Sequence, residues 1–194
     1  MRRDTRRWRA QTVAGCLAVA LLSTLTASGC SAARGAAPLQ PLQREIDLER
    51  FMGKWYVLAH IPIDTFFASE ADAYNAVETY RLAADGSIPT TFTFNEGSFD
   101  GPLRVMRPTG FVHDEETKTE WRMQFLWPFK SAYLIVYLDE DYEQTIIGVP
   151  DRSYVWIMAR TPQISDEEYD HLVAEVAGMG HDMTKLRKVP QMQR

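Results

Sequence analysis

The side chains able to do covalent or metal chemistry are few and widely spaced. Four histidines, His60, His113, His171 and His181, have no paired spacing suited to a metal ion, so no metal site is expected. The two cysteines, Cys16 and Cys30, both precede residue 45. The remaining chain therefore offers no disulfide, thiol nucleophile or thiolate ligand. A serine nucleophile would need a base and an orienting acid, which nothing in the spacing assembles. Asp72, Glu78 and Glu96 are acids close to apolar runs, and solvent exposure is the expectation for each. No catalytic residue and no cofactor emerges, and an enzyme is not expected. Apolar surface is what the chain has in quantity, with 45% hydrophobic and 11% aromatic residues.

Charge narrows the partners. The chain carries 21 basic and 26 acidic residues, but five Arg and one Asp lie within the first 29, leaving the rest at −9. Nucleic acid binding needs clustered Lys and Arg, so a domain this acidic is a poor candidate for it. The Arg-rich start runs into an apolar stretch over 13–25 and then Thr26-Ala27-Ser28-Gly29-Cys30. That is the layout of a signal peptide, with an uncleaved anchor as the alternative. Small residues running into Cys30 resemble the bacterial lipobox, although Ala27 stands where Leu is commonest. The resemblance implies a lipidated Cys30 at the mature N-terminus, and Ser31 after it implies sorting to the outer membrane. Arg6-Arg7 loosely resembles a twin-Arg signal with Arg9 out of pattern, so the export route stays open. The expected organisation is a signal peptide over 1–29, the lipidated Cys and a Pro-interrupted linker over 30–44, and one domain over 45–194.

From residue 45 onward, β-branched and aromatic runs alternate with turn residues. The runs cover 54–61, 74–82, 88–95, 103–112, 118–125, 132–138, 143–149 and 154–160, with a further short strand over 186–189. Eight strands with hairpin-length connections indicate a barrel or a sandwich. One helix stands out behind Ser165-Asp166-Glu167-Glu168, a capping box. Its stripe is Tyr169, Leu172, Val173, Val176 and Ala177, and Gly178 and Gly180 supply stop signals. Alternation puts Trp121, Met123 and Phe125 on one face, and Phe92 with Phe94 on another. In the last long run both faces are apolar: Tyr154, Trp156, Met158 and Arg160 on one, Val155, Ile157 and Ala159 on the other. Such a strand must be covered twice, and the helix is the outer cover. Pattern alone leaves a filled barrel and a hollow one equally open.

Three segments carry a family resemblance. Gly53-Lys54-Trp55-Tyr56 resembles the G-x-W-Y signature of the lipocalins on their first strand, and residues 137–142 (YLDEDY), with Asp139, resemble the turn between the sixth and seventh strands. Arg160-Thr161-Pro162 is similar to the Arg-bearing end of the eighth. Residues 148–157 and 160–167 resemble one branch, the bacterial outer-membrane lipocalins and their apolipoprotein D-like relatives. The resemblance implies an all-β fold: an eight-stranded antiparallel up-and-down barrel with one C-terminal α-helix packed outside. It also implies that Gly53, Trp55, Tyr56, Asp139 and Arg160 are structural, with Arg160 lying on the Trp55 indole at the closed end.

The ligand implied is a fatty acid such as palmitate, or a lysophospholipid. Val57, Ala59 and Tyr74 from the first two strands, with Phe92 and Phe94 from the third, are expected to line its cavity. Met123, Phe125, Tyr133, Tyr154, Trp156 and Met158 complete that set from the later strands. Arg104, Arg107 and Lys130 are cations placed to meet a head group. The expected setting is an outer-membrane lipoprotein facing the periplasm, tied to the membrane through Cys30, with a homodimer possible. The rival reading is a filled barrel acting through a protein partner.

Overall fold

The computed structural model describes residues 37–65 and 68–192, so Cys30 and the expected signal peptide lie outside the described residues. The chain enters through α1 (Leu48–Phe51) and β1 (Gly53–Ile61), then makes a small hairpin of β2 (Asp64–Thr65) and β3 (Ala68–Ser69). There follow β4 (Ala73–Tyr80), β5 (Ser87–Glu96), β6 (Leu103–Met106), β7 (Thr109–Val112), β8 (Glu120–Leu126), β9 (Phe129–Leu138), β10 (Gln144–Gly148) and β11 (Val155–Ala159). Helix α2 (Asp166–Gly178), a 3-10 turn (Met183–Lys185) and β12 (Arg187–Lys188) complete it.

Apart from the small hairpin, each strand from β1 to β11 pairs antiparallel with its neighbour, and β11 returns to pair with β1 from Tyr56↔Ala159 to Ile61↔Val155. The barrel is therefore closed, although β6 pairs with β5 on one side only. It has eight staves, because β6 and β7 form one interrupted stave, both paired to β5. A single strand over 103–112 was the expectation. The break falls at Arg107-Pro108, where proline has no N–H to give the ladder. The Pro108 carbonyl still accepts from the Thr90 amide at 2.9 Å.

Strict alternation builds the wall: along β5 every second residue is buried, which places Ile88, Thr90, Phe92 and Phe94 inside. Two apolar clusters result. One fills the barrel, and the other, including Ala59, Ile61, Val155, Ile157, Leu172 and Val176, lies between the wall and α2. The helix begins as its capping box requires, Ser165 accepting from the Glu168 amide and Glu168 accepting from the Ser165 amide. Leu172 and Val176 are its fully buried positions.

Short α1 was not anticipated, since four residues show no helical period. Asp47 caps it by accepting from the Glu49 and Arg50 amides. It drives Phe51 into the closed end, against Trp55 at 5.1 Å, Tyr80 at 5.5 Å and Trp121 at 5.4 Å between ring centroids.

Two bulges change which side chains face inward. Between Val57 and Ala59, β1 slips against β11, and between Tyr74 and Val77, β4 slips against β5, at Asn75 with φ +50°. A bulge reverses the parity of every residue beyond it. Residues 189–192 follow β12 and bind both bulges. The Val189 amide donates to the Leu58 carbonyl at 2.9 Å, and the Asn75 amide donates to the Pro190 carbonyl at 2.8 Å. The Gln191 side chain donates to the carbonyls of Val57 and Ala76 at 2.7 and 3.0 Å.

Candidate ligand cavity

The signature residues build the closed end. Trp55 is fully buried, and the Arg160 guanidinium lies 3.8 Å above its ring. The same guanidinium donates to four carbonyls, those of Arg50 (2.6 Å), Phe51 (3.1 Å), Lys54 (2.9 Å) and Tyr142 (3.1 Å). One planar cation thus ties α1, β1 and the β9–β10 turn together, a task that lysine with its single point charge performs poorly. Gly53 sits at φ +96°, and a Cβ there would stand 3.5 Å from the Arg160 Nη1. Asp139 shapes the adjoining turn by accepting from the amides of Glu143 and Gln144, both at 2.8 Å. Tyr56, beside Trp55, pairs across to Ala159 and Val77 and lies half-buried in the wall.

Rings then step up the barrel axis. Trp121 stacks on Tyr133 at 5.8 Å, Tyr133 lies 6.1 Å from Trp156, and Trp156 lies 6.4 Å from Tyr154. Above Tyr133 the packing stops. A cavity of about 1000 Å³ opens there, walled by Ile63, Met106, Met123, Phe125, Tyr133, Tyr154 and Trp156, with Glu70 among them. The barrel is thus filled at one end and hollow at the other.

Five of the eleven expected lining residues are in that wall: Met123, Phe125, Tyr133, Tyr154 and Trp156. Val57, Phe92, Phe94 and Met158 face inward but belong to the packed core. Two are corrected. Ala59 faces α2 in the outer cluster, because the bulge after Val57 turns it outward. Tyr74 packs edge-on against Phe99 at 5.1 Å and pairs with Asn95 on the outer face, because the Asn75 bulge reverses the start of β4. Of the three suggested head-group cations, Arg107 borders the cavity, Arg104 is paired with Glu96, and Lys130 lies over the Phe111 ring at 3.6 Å.

The bulge after Val57 brings His60 inward, where it is 1% exposed, with Nδ1 3.5 Å from Glu70 Oε2. Trp156 Nε1 donates to that oxygen at 3.2 Å. Deeper, Tyr133 donates to Glu78 Oε2 at 3.2 Å and shares a very short hydrogen bond with Tyr80. Glu78 was expected at the surface but is buried. Its carboxyl is pushed up to about 7, first by loss of solvent, with the Tyr80 hydrogen bond opposing and the Glu70 charge adding to the rise. Burial and the adjoining carboxylate raise the Tyr80 and Tyr133 hydroxyls well above the ordinary tyrosine range. Sequence reasoning missed this cluster in part for want of a signal, since neither bulge is written in residue types. For Glu78 the signal existed: it alternates in register with Ala76 and Tyr80 on a face otherwise apolar.

No three His, Cys, Asp or Glu side chains among the described residues gather in a way that would hold a metal ion, and no described helix is long and apolar enough to cross a membrane. At the rim, Leu126, Trp127 and Phe129 are 68%, 81% and 72% exposed.

A closed antiparallel barrel, plugged by an Arg-covered Trp at one end and hollow at the other, defines a class of small-molecule-binding barrels. The lipocalin-like domain profile matches residues 46–191. Temperature-induced lipocalin-1 of Arabidopsis thaliana is 32% identical over 157 residues, covering 75% of this chain and 80% of that protein. Outer membrane lipoprotein Blc of Escherichia coli K12 is 30% identical over 147 residues, covering 75% and 79%. Among solved structures, the cockroach allergen Per a 4 shares the fold with a TM-score of 0.58 at 17% identity, covering 82% of this chain and 97% of that one. The chain belongs to the lipocalin family.

Proposed function

We propose that this protein is a membrane-tethered carrier that holds the chain of one fatty acid or lysophospholipid in the open half of its barrel. The observation that carries the reading is the cavity of about 1000 Å³ with its largely apolar wall, at the upper end of the range for small-molecule sites. Burying a sixteen-carbon chain releases on the order of 12 kcal/mol at about 0.8 kcal/mol per methylene. Association and ordering cost about 4–15 kcal/mol, so micromolar to nanomolar affinity follows. The protein is read as a binder rather than an enzyme, in keeping with relatives named as lipocalins.

Lipidation at Cys30 and residence at the periplasmic face of the outer membrane belong to the same proposal, supported by the name of the Blc relatives. The first described residues, 37–39, run beside the cavity. The Leu39 amide donates to the Pro150 carbonyl at 2.8 Å, and Arg152 donates to the Ala37 carbonyl at 2.8 Å, beside the cavity-lining Pro150 and Asp151.

The test is native mass spectrometry of the mature protein after exposure to palmitate and lysophospholipid. A stoichiometric adduct, weakened by Trp156→Ala, is expected. An unliganded mass with every lipid class would overturn the carrier reading and favour a barrel that works through a protein partner.

A further inference from the structure

The cavity is largely apolar, with buried acid on one side. Glu70 borders it at 3% exposure, with Glu78 one layer deeper behind Tyr133. Cationic lining among the described residues is confined to Arg107, which is exposed. A buried carboxylate is tolerated where donors meet it. Here Trp156 supplies one donor, on Oε2. His60 faces the same oxygen, yet its Nδ1 has no hydrogen-bond partner although the residue is 1% exposed. An orphaned buried nitrogen is rare enough to need a reason. Together these mark a polar patch that is incompletely satisfied by the protein's own groups.

We infer that this patch is a subsite for hydrogen-bond donors, at which Glu70 receives a hydroxyl or protonated amine of the ligand. The inference rests on the carrier reading and narrows its ligand class. A carboxylate or phosphate brought to the patch would face Glu70, with Glu78 behind it and, among the described lining residues, only the exposed Arg107 to offset the charge, in surroundings of low dielectric. Amphiphiles with an amine or hydroxyl end are thus favoured over simple fatty acids of equal length.

The experiment compares dodecylamine, dodecanol and dodecanoate by calorimetry on the intact mature protein at pH 7.5. Wild type binds dodecylamine at least tenfold more tightly than dodecanoate, with dodecanol between. Glu70→Gln, which keeps an acceptor for Trp156, weakens dodecylamine at least tenfold and leaves dodecanol within threefold. Arg107→Gln, at the exposed cation of the lining, weakens dodecanoate alone and tests the head-group preference even if the Glu70 variant does not fold. Equal binding of the three heads, or an amine preference that survives Glu70→Gln, overturns the inference while leaving the carrier reading intact. Failure of every chain to bind overturns both.

Discussion

Replacing Glu78 by Gln removes a proton-binding group from the barrel interior while keeping its shape. In the folded protein this carboxyl titrates near 7 instead of its ordinary 4.5, chiefly because burial strips it of water. A raised folded-state pKa means that the native protein holds the proton more tightly than the unfolded chain does. The group then costs nothing below about pH 4.5, costs progressively more as pH rises to 7, and exacts its full cost above that. The interval between 4.5 and about 7 corresponds to about 3 kcal/mol. Glu78→Gln should therefore gain about 3 kcal/mol on wild type between pH 4 and pH 8, or about 6–12 °C in melting temperature for a domain of this size. The groups facing Glu78 are Tyr80 on its own strand, Tyr133 on β9, and the Glu70 charge. Both tyrosines stay protonated throughout this range, since their hydroxyls are pushed upward. The assay is urea unfolding of both proteins at half-unit pH steps, read as the difference between the two curves. Any pH-independent cost of the amide displaces that difference without tilting it. Parallel curves would refute the reasoning, because they would mean that Glu78 is solvated or ionised at little cost.

Two further predictions concern the closed end. Trp55→Ala should cost about 3–5 kcal/mol in urea unfolding through the cavity left under Arg160, while the lipid adduct survives because the ligand occupies the opposite end. Unchanged stability with lost binding would place Trp55 in the site instead. Gly53→Ala should destabilise by about 1–2 kcal/mol, because φ +96° is strained for any side chain. A melting temperature equal to wild type would show that β1 enters the barrel by a different backbone path.

The stave count and the outer helix were legible because each rests on a local rule, and the closed-end signature through its resemblance to a family motif. Alternation marks a half-buried strand, Ser165 and Glu168 mark a helix start, and Gly53, Trp55 and Arg160 stand at their positions for reasons of backbone angle and stacking. The cavity was half legible. Trp156, Tyr154 and Met123 follow from alternation, whereas Ala59, Tyr74 and His60 depend on two bulges that no residue type announces. Glu70 comes from the connection between β3 and β4, where periodicity has nothing to act on. Glu78 was readable, and the surface prior for acids outweighed an alternation that was correct. Whether a barrel is hollow depends on how far its aromatic stack extends. That is a property of three-dimensional filling, and it has no periodic trace.

The segment over 189–192 also has a meaning in time. The backbone carbonyls of Val57, Leu58 and Ala76 and the amide of Asn75 find their partners in residues made after every stave of the wall. A chain emerging from a ribosome can pair its earlier strands, yet beyond the Tyr56↔Val77 pair the seam between the first and second staves stays unsealed until these residues arrive. Until that moment the interior communicates with solvent through the side of the wall as well as through the rim. Loading with an apolar guest before that point is therefore geometrically open, and residues 189–192 would close the wall behind it.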